Sequence, residues 1–114
     1  MSVGLPDPAD GIELTPAQVA ELLPAIRRGE IELIDCREDE EWRFNRIEGA
    51  RFAPLTRFAE AAVPEKPAIV YCHHGMRSLR AASYWKARGL DEVWSMSGGI
   101  DRWSAEVDPT VPVY

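Results

Sequence analysis

The stretch Cys72-His73-His74-Gly75-Met76-Arg77-Ser78 sets a thiol between the apolar run Ala68 to Tyr71 and a segment of helical character. Where a strand hands over to a helix at a cysteine, unpaired backbone N–H groups turn toward the sulfur and the helix dipole favours negative charge. A thiolate is the expected resting state, and a cysteine of lowered pKa is a nucleophile. Arg77, which closes the loop, adds a fixed cation for an anionic substrate or leaving group. Cys72, His73 and His74 are contiguous and rarely converge on one ion, and no further ligand cluster is evident, so no metal is expected.

The flanking segments say how this loop is held. Residues 1–11 are rich in Pro and Asp and read as a surface arm ahead of one domain over 12–114. Ile12 to Leu14 suit a short strand, and Thr15-Pro16 is an N-cap and first-turn signature. Val19, Leu22, Leu23 and Ile26 then lie on one helical face, with Pro24 expected to break the helix after Leu23 and Gly29 to end it. Glu30 to Asp35 form a buried strand ending in Asp35-Cys36-Arg37. A charged helical stretch covers Glu38 to Phe44, a turn at Ile47 to Ala50 leads into a short strand, and Pro54 to Ala62 form a loop with a helical turn. Ala68 to Tyr71 are the strand that delivers Cys72. Ser78 to Arg88 form a helix with Leu79, Ala82 and Trp85 on one side, capped by Gly89. Val93 to Met96 make a last strand, Gly98-Gly99 a turn, and Ile100 to Glu106 a final helix.

Strands that alternate with helices and lack hairpin signals imply an α/β fold with a mainly parallel central sheet of about five strands flanked by helices. Ligands in such sheets bind beyond the C-terminal strand ends. Asp35-Cys36-Arg37 and Cys72 both sit at such ends, so they can meet at one edge of the sheet. Asp35 and Arg37 read as residues that brace the loops by ion pairing and hydrogen bonds rather than as catalytic groups. Trp42, Trp85, Trp94 and Trp103 read as core and cover residues.

A length of 114 residues suits one domain. A net charge of −6 with 19 acidic residues excludes nucleic acid as a natural partner, because duplex binding needs clustered cations. No apolar run reaches the roughly 20 residues of a membrane span, and Met1 to Asp10 have neither the basic start nor the apolar stretch of a signal peptide. A cytoplasmic protein without membrane attachment is expected. Its two cysteines, Cys36 and Cys72, form no secreted-type disulfide framework.

Four stretches together resemble the rhodanese-like sulfurtransferase family over most of the chain, in its single-domain form. They are Leu33-Ile34-Asp35-Cys36-Arg37 with the acidic run Glu38 to Glu41, Asn45-Arg46-Ile47-Glu48-Gly49-Ala50, the loop Cys72 to Ser78, and Gly98-Gly99-Ile100-Asp101-Arg102-Trp103. The chain departs from the family in having Asn45-Arg46 where Gly-His is common, and Cys36 where an aliphatic residue is more frequent. The resemblance implies a rhodanese-like fold and transfer of sulfane sulfur from thiosulfate or a persulfide donor through a Cys72 persulfide. The acceptor would be thiophilic, such as cyanide, a thiol or a sulfur-carrier protein, and no cofactor is needed beyond the covalent intermediate. Loop amides and Ser78 would hold the persulfide, His73 and His74 would add donors at the mouth, Gly75 would make a left-handed turn, and Met76 and Arg77 would complete the substrate loop. In this setting Cys36 reads as a packed strand residue rather than a resolving thiol. The four residues enclosed by Cys72 and Arg77 match the shorter loop of sulfur transfer, whereas phosphatase relatives have one more. A phosphatase or arsenate reductase using the same thiolate, or an idle adaptor module, are the alternatives.

Overall fold

The computed structural model describes residues 5–114; residues 1–4 of the expected arm lie outside the described residues. Five strands, Glu13–Leu14 (β1), Glu32–Asp35 (β2), Arg51–Phe52 (β3), Ala68–Tyr71 (β4) and Val93–Met96 (β5), form one all-parallel sheet in the order β1-β5-β4-β2-β3. Every residue of β4 and β5 is buried, as suits central parallel strands covered on both faces. One apolar cluster, with Val19, Leu33, Ile69, Trp94 and Trp103, fills one side of the sheet. A second, with Ile34, Cys36, Val70, Cys72, Ala82 and Trp85, fills the other.

Thr15 caps the first helix, Pro16–Glu21 (α1), in a reciprocal capping box with Gln18. The break expected after Leu23 comes one residue earlier, at Leu22, before a short second helix, Leu23–Arg27 (α2). A proline ring crowds the carbonyl four residues upstream, so the helix yields on the N-terminal side of Pro24. The acidic segment forms Asp39–Phe44 (α3), capped by Glu38 and Glu41. A 3-10 stretch, Leu55–Glu60, bridges β3 and β4.

The helix after Cys72, Met76–Ala87 (α4), starts two residues earlier than the sequence suggests because Gly75 at φ +101° serves as its N-cap. Its buried stripe is Ser78, Ala81, Ala82 and Trp85, while Leu79 is only half-buried. Small residues at successive turns let α4 lie close on the sheet. The last helix, Gly99–Glu106 (α5), begins at the expected glycine turn. No helix among the described residues is long and apolar enough to cross a membrane.

The end of β2 is locked by ions rather than by packing. Asp35 and Arg37 have no solvent exposure and face each other, with Arg37 Nη2 at 2.7 Å and Nε at 3.0 Å from the carboxylate. Burial opposes the Arg37 charge, but the Asp35 carboxylate and the Tyr114 hydroxyl together raise its pKa. Loss of one partner strands the other charge in the interior, at a cost of about 3–5 kcal/mol. Arg37→Met is therefore expected to lower unfolding free energy by that amount in urea titrations. A loss within the roughly 0.5 kcal/mol of ordinary surface substitutions would show that the pair does not hold the strand end.

Candidate active site

Cys72 leaves β4 with its side chain turned back over the start of α4, and only 1% of the residue is exposed. Its Sγ receives the N–H of Gly75 at 3.1 Å and the N–H of Ser78 at 3.3 Å, and the Ser78 hydroxyl lies 3.5 Å away. That hydroxyl is also joined to Ser95 on β5 at 2.7 Å, which fixes its position. The pKa of Cys72 falls to about 4, led by the Cys36 thiol and then by Ser78 and Gly75, against the opposing effect of burial. Cys36 moves the other way, pushed well up by the Cys72 sulfur it faces and by burial. The two shifts run in opposite directions, Cys72 down and Cys36 up. Sequence reasoning anticipated the amides but not the influence of Cys36, although both cysteines were expected at strand ends that could meet at one edge of the sheet.

The loop is clamped from the far side by α5. Ile100 N–H donates to the Cys72 carbonyl at 2.8 Å, and Asp101 N–H to the His73 carbonyl at 3.2 Å. Gly99, at φ +63°, lets α5 come this near: a Cβ there would collide with both carbonyls. A Cβ on Gly75 would press on the backbone N of Gly98 at 3.0 Å. The two glycine turns are thus packed against each other.

Arg77 does not stand free. It makes a two-pronged ion pair with Glu41 on α3, at 2.6 and 2.8 Å. Arg77 holds Glu41 down at about 2 despite partial burial, with help from Tyr114. The Tyr114 hydroxyl donates to Glu41 at 2.6 Å and accepts from Arg37 at 3.0 Å. Arg37 also reaches Asn45 through its Oδ1 and carbonyl, at 2.6 and 2.7 Å, and Asn45 Nδ2 donates to the Pro112 carbonyl. Asn45, at a position where the resemblance breaks down, is thus a strut between β2 and the C-terminal tail. Arg46 lies over the Trp42 ring, 4.2 Å from its centroid.

His73 stacks between His74 and Tyr114, with 3.8 Å between centroids on each side. Its Nε2 is buried without a hydrogen-bond partner. His74 lies 3.8 Å from the Asp101 carboxylate, and His73, His74 and Asp101 turn ligand atoms to within 4.8 Å of one another. The expectation that no further ligand joins the two histidines is corrected here, because the docking of α5 on the loop brings in Asp101. This trio is the one group among the described residues spaced to hold a metal ion. Met76 is 77% exposed and, with Arg77, Leu79, Arg80 and Ser83, lines an open depression of about 410 Å³ beside the loop. A groove of about 340 Å³ between Leu23, Arg27, Arg46 and Trp103 includes no residue of the loop.

The profile of the Rhodanese-like domain matches residues 18–106. The chain is 32% identical over 83 residues to the thiosulfate sulfurtransferase GlpE of Coxiella burnetii, covering 70% of this chain and 78% of that protein. It is 35% identical over 92 residues to the chloroplastic Rhodanese-like/PpiC domain-containing protein 12 of Arabidopsis thaliana, spanning 75% of this chain but only 31% of that longer protein. A rhodanese-related protein from Thermoplasma volcanium has the same fold, with a TM-score of 0.72 at 24% identity over 91% of this chain and all of that one.

The ionisation of Cys72 carries a pH signature. A folded pKa of about 4 lies below the unfolded value of about 8.5. The charged thiol therefore adds stability that is complete above the unfolded value and is lost as pH falls through about 4. Thiolate absorbance in the ultraviolet should persist down to near that pH and vanish in Cys72→Ser. A thiolate signal that disappears near the ordinary cysteine pKa would show that the cradle does not charge the sulfur.

Proposed function

The chain belongs to the Rhodanese-like domain family, and from that premise we propose that it is a sulfurtransferase that carries sulfane sulfur as a persulfide on Cys72. The observation that carries this reading is the pair of main-chain N–H groups, from Gly75 and Ser78, aimed at Sγ. With thiosulfate as donor, the Cys72 thiolate attacks the sulfane sulfur, the donor S–S bond breaks, and sulfite leaves with the bonding pair. The product is Cys72–S–S⁻. A thiophilic acceptor, such as a thiol, a sulfur-carrier protein or cyanide, then takes the outer sulfur and the thiolate returns. No side-chain base is required, because the attacking sulfur is already ionised.

Helix α4 suits both anionic states. Its first-turn N–H groups have no intrahelical partner, and its dipole puts partial positive charge at the loop. Those of Met76 and Arg77 are the natural donors for the outer sulfur, while Ser78 stays on Sγ. The buried sulfur means that a donor enters by displacing part of the loop's surroundings. The Arg77–Glu41 pair is the charged clasp beside that path, so an anionic donor competes with Glu41 for the guanidinium. The compartment we propose is the cytoplasm, where the thiol pool keeps both cysteines reduced.

Incubation with thiosulfate should add one sulfur, about 32 Da by atomic mass, to the peptide containing Cys72, and cyanide should remove it. Cys72→Ser should take up none and turn over none while keeping its fold; a loaded Cys72→Ser chain would sink the assignment. Glu41→Gln keeps the shape of the side chain but frees the Arg77 cation. It should lower KM for thiosulfate by roughly tenfold, the equivalent of about 1.4 kcal/mol, with a smaller effect on loading from a neutral persulfide donor. An unchanged or raised KM for thiosulfate would mean that Arg77 does not receive the anion.

A further inference from the structure

Cys36 stands one residue beyond β2 and Cys72 one residue beyond β4. The strands run parallel in the register Ile34↔Val70 and Asp35↔Tyr71. Cys36 continues that ladder by donating its N–H to the Tyr71 carbonyl at 3.0 Å. Carried on by one residue, the register sets Cys36 directly beside Cys72. Side chains alternate along a strand, and both cysteines share the face and the apolar cluster of Ile34 and Val70. Neighbouring strands lie roughly 4.8 Å apart, inside the roughly 4.4–6.8 Å Cα separation that a disulfide spans. Both thiols are free, and both are buried. Each cysteine is also the leading influence on the ionisation of the other, in opposite directions.

Resting on the sulfurtransferase reading above, we propose that Cys36 is a resolving thiol that discharges the Cys72 persulfide as sulfide when no acceptor collects it. The Cys36 sulfur attacks Cys72 Sγ. A Cys36–Cys72 disulfide forms, and the bond from Sγ to the outer sulfur breaks. The outer sulfur leaves as hydrosulfide with the bonding pair and the proton given up by Cys36. The sulfane sulfur is reduced to sulfide by two electrons, and the two cysteines end as the disulfide. One negative charge is present before and one after, so no second anion is created in the apolar interior. A dithiol reductant reopens the disulfide and is itself oxidised to one. The chain would then have two outlets for its sulfur: transfer to an acceptor, or reduction to sulfide inside the fold.

The test uses the full chain, reduced and kept anaerobic, with inorganic polysulfide as the sulfur source, so that loading does not depend on turnover of thiosulfate. Free sulfide is measured, and peptides are mapped by mass spectrometry without reduction. Once unreacted polysulfide and the sulfide formed during loading are removed, wild type should release one further sulfide for each chain in which the Cys36 and Cys72 peptides become linked. Cys36→Ser, and the strand-compatible Cys36→Val, should form no link and hold the added sulfur on the order of tenfold longer or more. No linked peptide in wild type, whether or not sulfur is carried, overturns the resolving role, as does a wild-type persulfide that lasts as long as in the folded variants. Turnover of thiosulfate with cyanide is read separately on wild type. Its absence defeats the sulfurtransferase reading, and the linked peptide still decides what Cys36 does.

Discussion

A sulfur anion shut away from water persists only where fixed donors replace the solvent it has lost. In this chain the N–H groups of Gly75 and Ser78 donate to Cys72 Sγ, the Ser78 hydroxyl lies 3.5 Å away, and the Cys36 thiol on the neighbouring strand helps hold the pKa down. These three residues come from different levels of the structure. Gly75 makes the left-handed turn that ends the loop, Ser78 lies in the first turn of α4, and Cys36 arrives on the neighbouring strand. The parallel sheet brings them together because its central strands finish at the same level. On the other side, the close approach of Gly99 lets α5 take the carbonyls of Cys72 and His73, which keeps those oxygens from facing the negative sulfur.

Around this cradle runs a chain of ions and hydroxyls from β2 to the loop. Asp35 neutralises Arg37, Arg37 reaches Asn45 and Tyr114, Tyr114 binds Glu41, and Glu41 holds Arg77. The inner end has no exposure, whereas the outer pair is partly exposed, with side chains at 34% and 20%. Screening weakens the outer pair and leaves the inner one intact. The site therefore has a rigid floor and a rim that can exchange its carboxylate for another anion. Tyr114 ties the C-terminal tail into the same rim by stacking on His73.

Local chemistry made much of this legible in the sequence. Thr15-Pro16, the apolar run Ala68 to Tyr71 and the glycine pair Gly98-Gly99 each specify their element by short-range physics, and all three lie where expected. The face of α4 was misjudged by one residue, because Leu79 is the more apolar side chain but Ser78, Ala81 and Ala82 are small enough to approach the sheet. What the sequence hid was long-range: Glu41 meets Arg77 across 36 positions, Tyr114 meets Arg37 across 77, and Asp101 joins the histidines only after α5 docks. The Cys36–Cys72 contact was half visible, since two strand ends ending in cysteine must be neighbours if their strands are. Only the strand order decides that, and β2 does lie beside β4.

In the sulfurtransferase reading we propose, the lowered Cys72 pKa bears differently on the two halves of the cycle. At pH 7 an ordinary cysteine of pKa about 8.5 is about 3% thiolate, so full ionisation raises the reactive fraction by about thirtyfold. Intrinsic nucleophilicity falls as the pKa is lowered, with a Brønsted slope of about 0.4–0.5, so part of that gain is given back. Attack on a donor gains less than the thiolate fraction alone suggests. Departure gains, because a low-pKa thiolate leaves faster when an acceptor takes the outer sulfur. In the reading we propose, the amides and the Ser78 hydroxyl stabilise the leaving group as the sulfur is given up. Binding of the donor in that reading falls to the rim, where the Arg77–Glu41 pair stands.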